Sequence, residues 1–405
     1  MSKRLSRTSL LTCLILLAVG FGCGGRSARE GPGAAARMND DKTSAHDLLE
    51  NGRFEEVVEI LAPWAGKKVQ DPQVYSMLAK AQWKLHNTDD AITNYEETVR
   101  LDYSNAYAHL ELAQLLVEIG KLGRALTEFD IAIRYGGRDP LPHYNYGLAL
   151  YGMKRREEAL NHWRIAYSLD RRDPRYAEAM GIGLAGEDDK AALEYFERAD
   201  SLGADQAGFH DNFGLLLQRL GDYGRAETEF RQAVTREPGN ALYRRDLALF
   251  YMVSGRPDEA VPLWETLLDE DNDSRVYRIY LARAYLGVGR FESAIGVLEN
   301  WLQGAGATPR ATGTSQDETE KAPPIDEAYD VLAMSYRGKK DLGRAVSFMR
   351  KALELEPRSV VYLINYGVIL ADDGKIAEAK AQWEKALEID PNNPTARQNL
   401  SAYQK

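Results

Sequence analysis

The stretch Gly374–Asn393, GKIAEAKAQWEKALEIDPNN, carries a turn glycine, an apolar stripe at helical spacing and a proline where the helix has to stop. Its key residues are Gly374, Ala379, Trp383, Ala386 and Pro391. The same grammar stands in GDYGRAETEFRQAVTREP, with Gly221, Ala226, Phe230, Ala233 and Pro238, and again at Gly120, Ala125, Phe129 and Ala132. Aligning the first small residue of each such helix gives Val57, Ala91, Ala125, Ala159, Ala192, Ala226, Ala260, Ala294, Ala345 and Ala379. Successive spacings are 34 residues, apart from one of 33 and one of 51. A single insertion accounts for the only large break.

A second slot keeps the same register through Ala45, Ala79, Ala113, Gly147, Gly181, Gly214, Ala248, Ala282, Ala333 and Gly367. The unit is therefore a pair of helices. Small side chains let the two helices approach closely, and a bulky residue four positions after the second-helix alanine fills the space between neighbouring units. Tyr95, Phe129, Trp163, Phe196, Phe230, Trp264 and Trp383 take that position, with Leu61, Leu298 and Met349 as conservative departures. Asp71-Pro72, Asp139-Pro140 and Asp173-Pro174 each place an acid at an N-cap before a proline at the first helical position. Pro238, Pro357 and Pro391 fall where a second helix must end. With no strand-like alternation, the chain reads as all-α.

A helix–turn–helix period of this length resembles the tetratricopeptide repeat over residues 38–391. The resemblance implies a solenoid of about ten repeats. Repeats 1–8 would occupy residues 38–302 and repeats 9 and 10 residues 325–391, separated by a polar, mobile insertion at 303–324. Residues 392–405 read as a capping helix, which the open end of an array needs for solubility.

The N-terminus differs in kind. Lys3, Arg4 and Arg7 precede an apolar run in TSLLTCLILLAVGFG that is short for a membrane span, so residues 1–22 read as a signal peptide. Cys13 leaves with that peptide and Cys23 remains alone, which excludes an intrachain disulfide in the mature form. The setting of Cys23 resembles the lipobox of bacterial lipoproteins, with Gly20 departing from the usual leucine. That likeness implies a lipidated Cys23 and a flexible tether over residues 23–37. It places the protein in the bacterial cell envelope. Gly24 and Gly25 lack the acidic residue that in some bacteria retains lipoproteins at the inner membrane, which points to the outer membrane, facing the periplasm. The alternative is an unmodified Cys23 and a soluble periplasmic or secreted peptide-binding module.

The 405 residues are 44% hydrophobic and 28% charged, with a formal net charge of −10, which argues against nucleic-acid binding. Several stretches imitate chemistry. GIGLAG, Gly181–Gly186, fits G-x-G-x-x-G but lies in a helix pair, not between strand and helix. DEDND, Asp269–Asp273, begins like a calcium loop, but Ser274 and Tyr280 stand where a glycine and a glutamate are required. His109, His143 and His210 hold the fourth position of three first helices, which suggests packing on equivalent helix surfaces and no metal cluster. No segment remains to house a catalytic domain. The expectation is a non-catalytic scaffold with no metal, cofactor or small-molecule substrate.

In the tetratricopeptide family, first helices line a concave groove through positions two, five, nine and twelve. Carried onto this chain, those positions give Tyr107, Leu110, Tyr144, Leu148, Tyr151, Leu215, Leu249, Met252, Ile279, Leu286, Met334, Ile364 and Val368 as a partner-binding groove. Such an apolar list suits another protein or a peptide. Some relatives hold a chaperone's terminal carboxylates with a lysine–asparagine clamp. Here Asn145, Asn212 and Asn365 meet Leu110, Glu178 and Asp330 in the basic slot, so that clamp is absent. The resemblance also extends to repeat lipoproteins that assist pilus assembly, secretion or polysaccharide export.

Overall fold

A computed structural model describes residues 33–303 and 324–403. The described residues fall into two compact units divided after Gly137, although the repeat period runs through that point unbroken. The first unit holds repeats 1–3: Ala34–Glu50 (α1) with Phe54–Gly66 (α2), Pro72–Lys84 (α3) with Thr88–Leu101 (α4), and Ala106–Glu118 (α5) with Leu122–Gly136 (α6). The second holds repeats 4–10. Its first four pairs are Leu141–Gly152 (α7) with Arg156–Leu169 (α8), Pro174–Leu184 (α9) with Asp189–Ser201 (α10), Ala207–Leu220 (α11) with Tyr223–Arg236 (α12), and Ala241–Val253 (α13) with Pro257–Glu270 (α14). Arg275–Gly287 (α15) with Phe291–Gln303 (α16), Ile325–Gly338 (α17) with Leu342–Leu355 (α18), and Val360–Asp372 (α19) with Ile376–Ile389 (α20) follow, before the cap Pro394–Ala402 (α21). Among the described residues there is no strand.

Each hairpin is built around the two small-residue slots. Every second-helix residue of the series from Val57 to Ala379 is fully buried. Where the first-helix slot is glycine, the reason is contact. A Cβ on Gly147 would lie 2.3 Å from Trp163 Nε1, and one on Gly367 would lie 2.2 Å from Trp383 Nε1. The indoles use that proximity: Trp163 Nε1 donates to the Tyr144 carbonyl at 3.1 Å and Trp383 Nε1 to the Ile364 carbonyl at 3.2 Å. Trp163 also reaches toward the next repeat, where a Cβ on Gly183 would stand 3.1 Å from its ring. In repeat 7 the slot is Ala248, and the buried Trp264 Nε1 has no hydrogen-bond partner.

The turn joining the two helices needs a left-handed residue. Gly52, Gly120, Gly221, Gly255, Gly289 and Gly374 supply it, while His86, Lys154 and Lys340 adopt φ of 60°, 62° and 65° in the equivalent places. At helix starts, Asp71 and Asp173 accept from the Gln73 and Arg175 amides as expected. In α7 the N-cap is Pro140, and Asp139 sits one residue earlier, still accepting from Leu141 N at 2.9 Å. The cap α21 buries Ala396 and lays Tyr403 against Trp383, ring centroids 5.7 Å apart.

One expected segment limit changes, and others lie outside the described residues. The tether was drawn through Arg37, but Ala34–Arg37 already form the start of α1. The signal peptide, Cys23 and most of the insertion lie outside the described residues.

Candidate protein-binding face

First helices of neighbouring repeats touch within the second unit, α11 against α13, α15 against α17 and α17 against α19. That contact decides which groove positions are open. Leu110 at 1% exposure, Ile279 at 0% and Ile364 at 8% belong to the core, which corrects their assignment to the groove. All three hold position five, where their side chains are buried against neighbouring elements. Tyr107, Leu148, Tyr151 and Leu215 are exposed. Tyr144, Leu249, Met252, Leu286, Met334 and Val368 are half-buried. Leu242 and Val361, both at position two, are exposed apolar residues that the sequence reading left out.

Position nine emerges as a stripe. Leu148, Ile182, Leu215 and Leu249 occupy it in the four consecutive repeats from 4 to 7, each exposed or half-buried. Ile182 had not been singled out, although its spacing marks it. Exposed apolar residues on second helices, such as Tyr135, Ile165 and Tyr223, fall at unlike positions and form no such row.

One turn before the stripe, the polar groups of repeats 5–7 are unusual. Burial pushes the Glu178 carboxyl up to about 7, offset in part by the nearby His210. Asp211 is 5% exposed and also pushed up to about 7, chiefly by burial and then by Asp246. Arg245 pairs with Asp246 at 3.0 Å. In repeat 9, burial likewise raises Asp330, and Asn365 Nδ2 donates to it at 2.8 Å. The slots that form a clamp in some relatives thus meet here as a neutral donor and a carboxyl. The first unit has its own example, where burial raises Glu111 against the hydroxyls of Tyr107 and Tyr95.

The histidines do share equivalent places, but inside the hairpins and not on the helix surface. His109 Nδ1 lies 2.6 Å from Glu128, His210 Nδ1 2.7 Å from Glu229 and His143 Nδ1 3.1 Å from His162 Nδ1. Each joins the first helix to the second of its own repeat. Gly181 and Gly183 of GIGLAG make room for Phe196 and for Leu160 with Trp163, and Gly186 forms the turn at φ +91°. Asp269–Asp273 is an exposed helix end. Among the described residues no group of three or more His, Cys, Asp or Glu is placed to hold a metal ion, and no helix is long and apolar enough to cross a membrane. An open cavity of about 400 Å³ between Tyr223 and Arg256 is lined by charges that pair locally, Arg256 with Glu227 at 2.6 Å.

Sequence profiles of the tetratricopeptide repeat match residues 76–140 and 212–275, 254–312, 326–359 and 360–393, together more than half of the chain. The chain belongs to the tetratricopeptide repeat family. It is similar to BBSome complex member BBS4 of Bos taurus, 22% identical over 347 residues covering 76% of this chain and 66% of that protein. Protein O-mannosyl-transferase TMTC1 of Homo sapiens is 25% identical over 211 residues, 52% of this chain and 22% of that protein. Photosystem I assembly protein Ycf3 of Acaryochloris marina is 32% identical over 92 residues, 19% and 55% of the two chains. The chain spans under two thirds of the length of each of these relatives. Among solved structures, pilF of Pseudomonas aeruginosa is 24% identical with a TM-score of 0.45, covering 50% of this chain and 92% of that one. The tetratricopeptide domain of P58(IPK) covers 91% and 98% at 15% identity and a TM-score of 0.32.

Proposed function

We propose that this protein is a non-catalytic scaffold that captures a segment of another protein along the first-helix face of repeats 4–7. Lipid on Cys23 would hold it at a membrane of the bacterial cell envelope. The observation that carries the binding part is the position-nine stripe of Leu148, Ile182, Leu215 and Leu249 in consecutive repeats. An apolar row on a face that a repeat scaffold leaves open favours an extended or helical partner segment. The anchoring part rests on the basic and apolar leader and on the glycines around Cys23. Stable attachment requires more than one acyl chain, as lipoprotein-type processing supplies.

The test joins both parts. Membrane fractions from the native host are crosslinked, and the masses of the Cys23 peptide and of the crosslinked neighbours are read. Lipid on Cys23 with one reproducible envelope partner, lost in the Leu148→Gln, Leu215→Gln variant, supports the proposal. An unmodified Cys23 on a soluble protein that still holds peptides on this face leaves a periplasmic or secreted peptide binder. Partner capture indifferent to both leucines refutes the face.

A further inference from the structure

Position four of the first helix holds histidine in repeats 3, 4 and 6, and two of the three meet a glutamate on the second helix. His109 Nδ1 lies 2.6 Å from Glu128 and His210 Nδ1 2.7 Å from Glu229. Repeat 4 departs from that pairing. His143 on α7 meets His162 on α8, with the two Nδ1 atoms 3.1 Å apart and the ring centroids 5.3 Å apart. His162 occupies the place that Glu128 and Glu229 hold in their repeats. Both rings are half-buried, so the pair is not sealed inside the core.

Two imidazoles edge to edge can share a proton or share a metal ion. Each neutral ring carries one N–H and one lone pair, so one Nδ1 donates to the other when nothing else is bound. Moving that proton to Nε2 of the same ring frees a second lone pair with no net loss of protons. Nitrogens 3.1 Å apart subtend about 100° at an ion about 2.05 Å from each, between the square and the tetrahedral values. The surroundings favour this use. Burial, then His162, holds His143 below its ordinary 6.5, so the ring is neutral at pH 7. The Tyr146 ring lies 4.2 Å from that of His162, at 33°, and limits its rotation. Arg155 would repel a cation, but Glu158 holds it through two bonds of 2.7 and 2.8 Å, and Glu158 stands one turn before His162 on α8.

We propose that His143 and His162 bind a divalent late transition-metal ion such as zinc through their Nδ1 atoms. Imidazole suits zinc, copper and nickel, whereas calcium and magnesium take oxygen donors. Among the described residues no third His, Cys, Asp or Glu is placed beside the pair, so water completes the shell. The ion joins α7 to α8 in repeat 4, as the histidine–glutamate pairs join the helices of repeats 3 and 6. Because the unfolded chain does not hold the two rings together, metal binding stabilises the folded one.

The probe is zinc chloride, added to the full chain in detergent after selective nitrogen-15 labelling of histidine. The expected result is one bound ion, with the Nδ1 signals of His143 and His162 moving and those of the other histidines still. His143→Gln removes both shifts and weakens zinc binding at least tenfold, while the helical signal without metal stays unchanged. His162→Gln has the same effect and serves if His143→Gln does not fold. Zinc also raises the melting temperature of the wild type and not that of either variant. Zinc taken up equally by both variants, at the exposed His46 or His86 for example, is adventitious binding only and overturns the proposal. Shifts at His109 or His210 as large as those at His143 overturn it too, since a histidine–glutamate pair would then serve as well. No uptake at millimolar zinc overturns it outright.

Discussion

The seam inside each hairpin and the open face of repeats 5–7 use the same helices in opposite ways. In the seam, a small residue on one helix meets a bulky, mostly aromatic residue on the other, and the arrangement recurs repeat after repeat, with Trp264 Nε1 left unpartnered in repeat 7. Trp163 and Trp383 even hydrogen-bond to the backbone they cover. At position five the residues are Tyr144, Glu178, Asp211, Arg245 and Ile279 in turn, and the Asp211 carboxyl is buried with Oδ1 unpartnered. A solenoid spends sequence uniformity on its stacking and keeps sequence variety for what it binds.

The largest effect is expected from emptying the seam. Trp383→Ala leaves a core cavity and should lower stability by about 3–5 kcal/mol, read by chemical denaturation of the second unit. Filling the glycine slot comes next. Gly147→Ala pushes against Trp163, forcing the indole off the Tyr144 carbonyl, at a cost of about 2–4 kcal/mol. The converse change, Ala248→Gly, sharpens the contrast. It opens for Trp264 the space that Trp163 already has, so the gain of about 1 kcal/mol from a hydrogen bond offsets the helical cost of glycine, and stability stays within about 1 kcal/mol.

On the face, Asp211→Asn should act in the reverse sense and depend on pH. The folded-state pKa of Asp211 lies above its ordinary 3.8, so its stabilising influence is complete below that value and fades as pH rises through about 7. The variant, unable to ionise, should be nearly equal to the wild type below about pH 4 and more stable than it by about 2 kcal/mol or more at pH 8. Denaturation at the two pH values measures it. Lys154→Gly relieves a left-handed turn residue and should raise stability by about 1 kcal/mol. The smallest effect belongs to the His143–His162 contact. Burial, then His162, holds His143 below its ordinary 6.5. The unfolded chain therefore protonates first, and repeat 4 loses about 1 kcal/mol or less as pH falls below 6.5, a loss His143→Gln should remove.

The seam was legible because volume alone dictates its residue types. A slot that accepts only glycine or alanine, and an aromatic four residues beyond its partner slot, announce themselves by period. The face was legible only in part. Position five places Leu110, Ile279 and Ile364 in the core and Leu148 and Leu215, four residues along other first helices, in the open. Periodicity within one repeat cannot distinguish these, since the burial is set by the neighbouring repeat. Glu178 and Asp330 were noticed as departures from a clamp, yet their meaning depends on what stands beside them: His210 for Glu178, Asn365 for Asp330. The histidine contacts were missed for the same reason, since each is satisfied by a residue nineteen positions on, in the second helix. The division after Gly137 left no mark on the period, which runs from Ala125 to Ala159 without change.

The most direct measurement sets one face against the other. A photoreactive side chain is placed at Leu215 on α11 or at Tyr223 on α12, exposed by 42% and 47% respectively, and the protein is irradiated in membranes of its native host. The account predicts a discrete partner adduct from position 215 and none from 223. Adducts from 223 alone would contradict it.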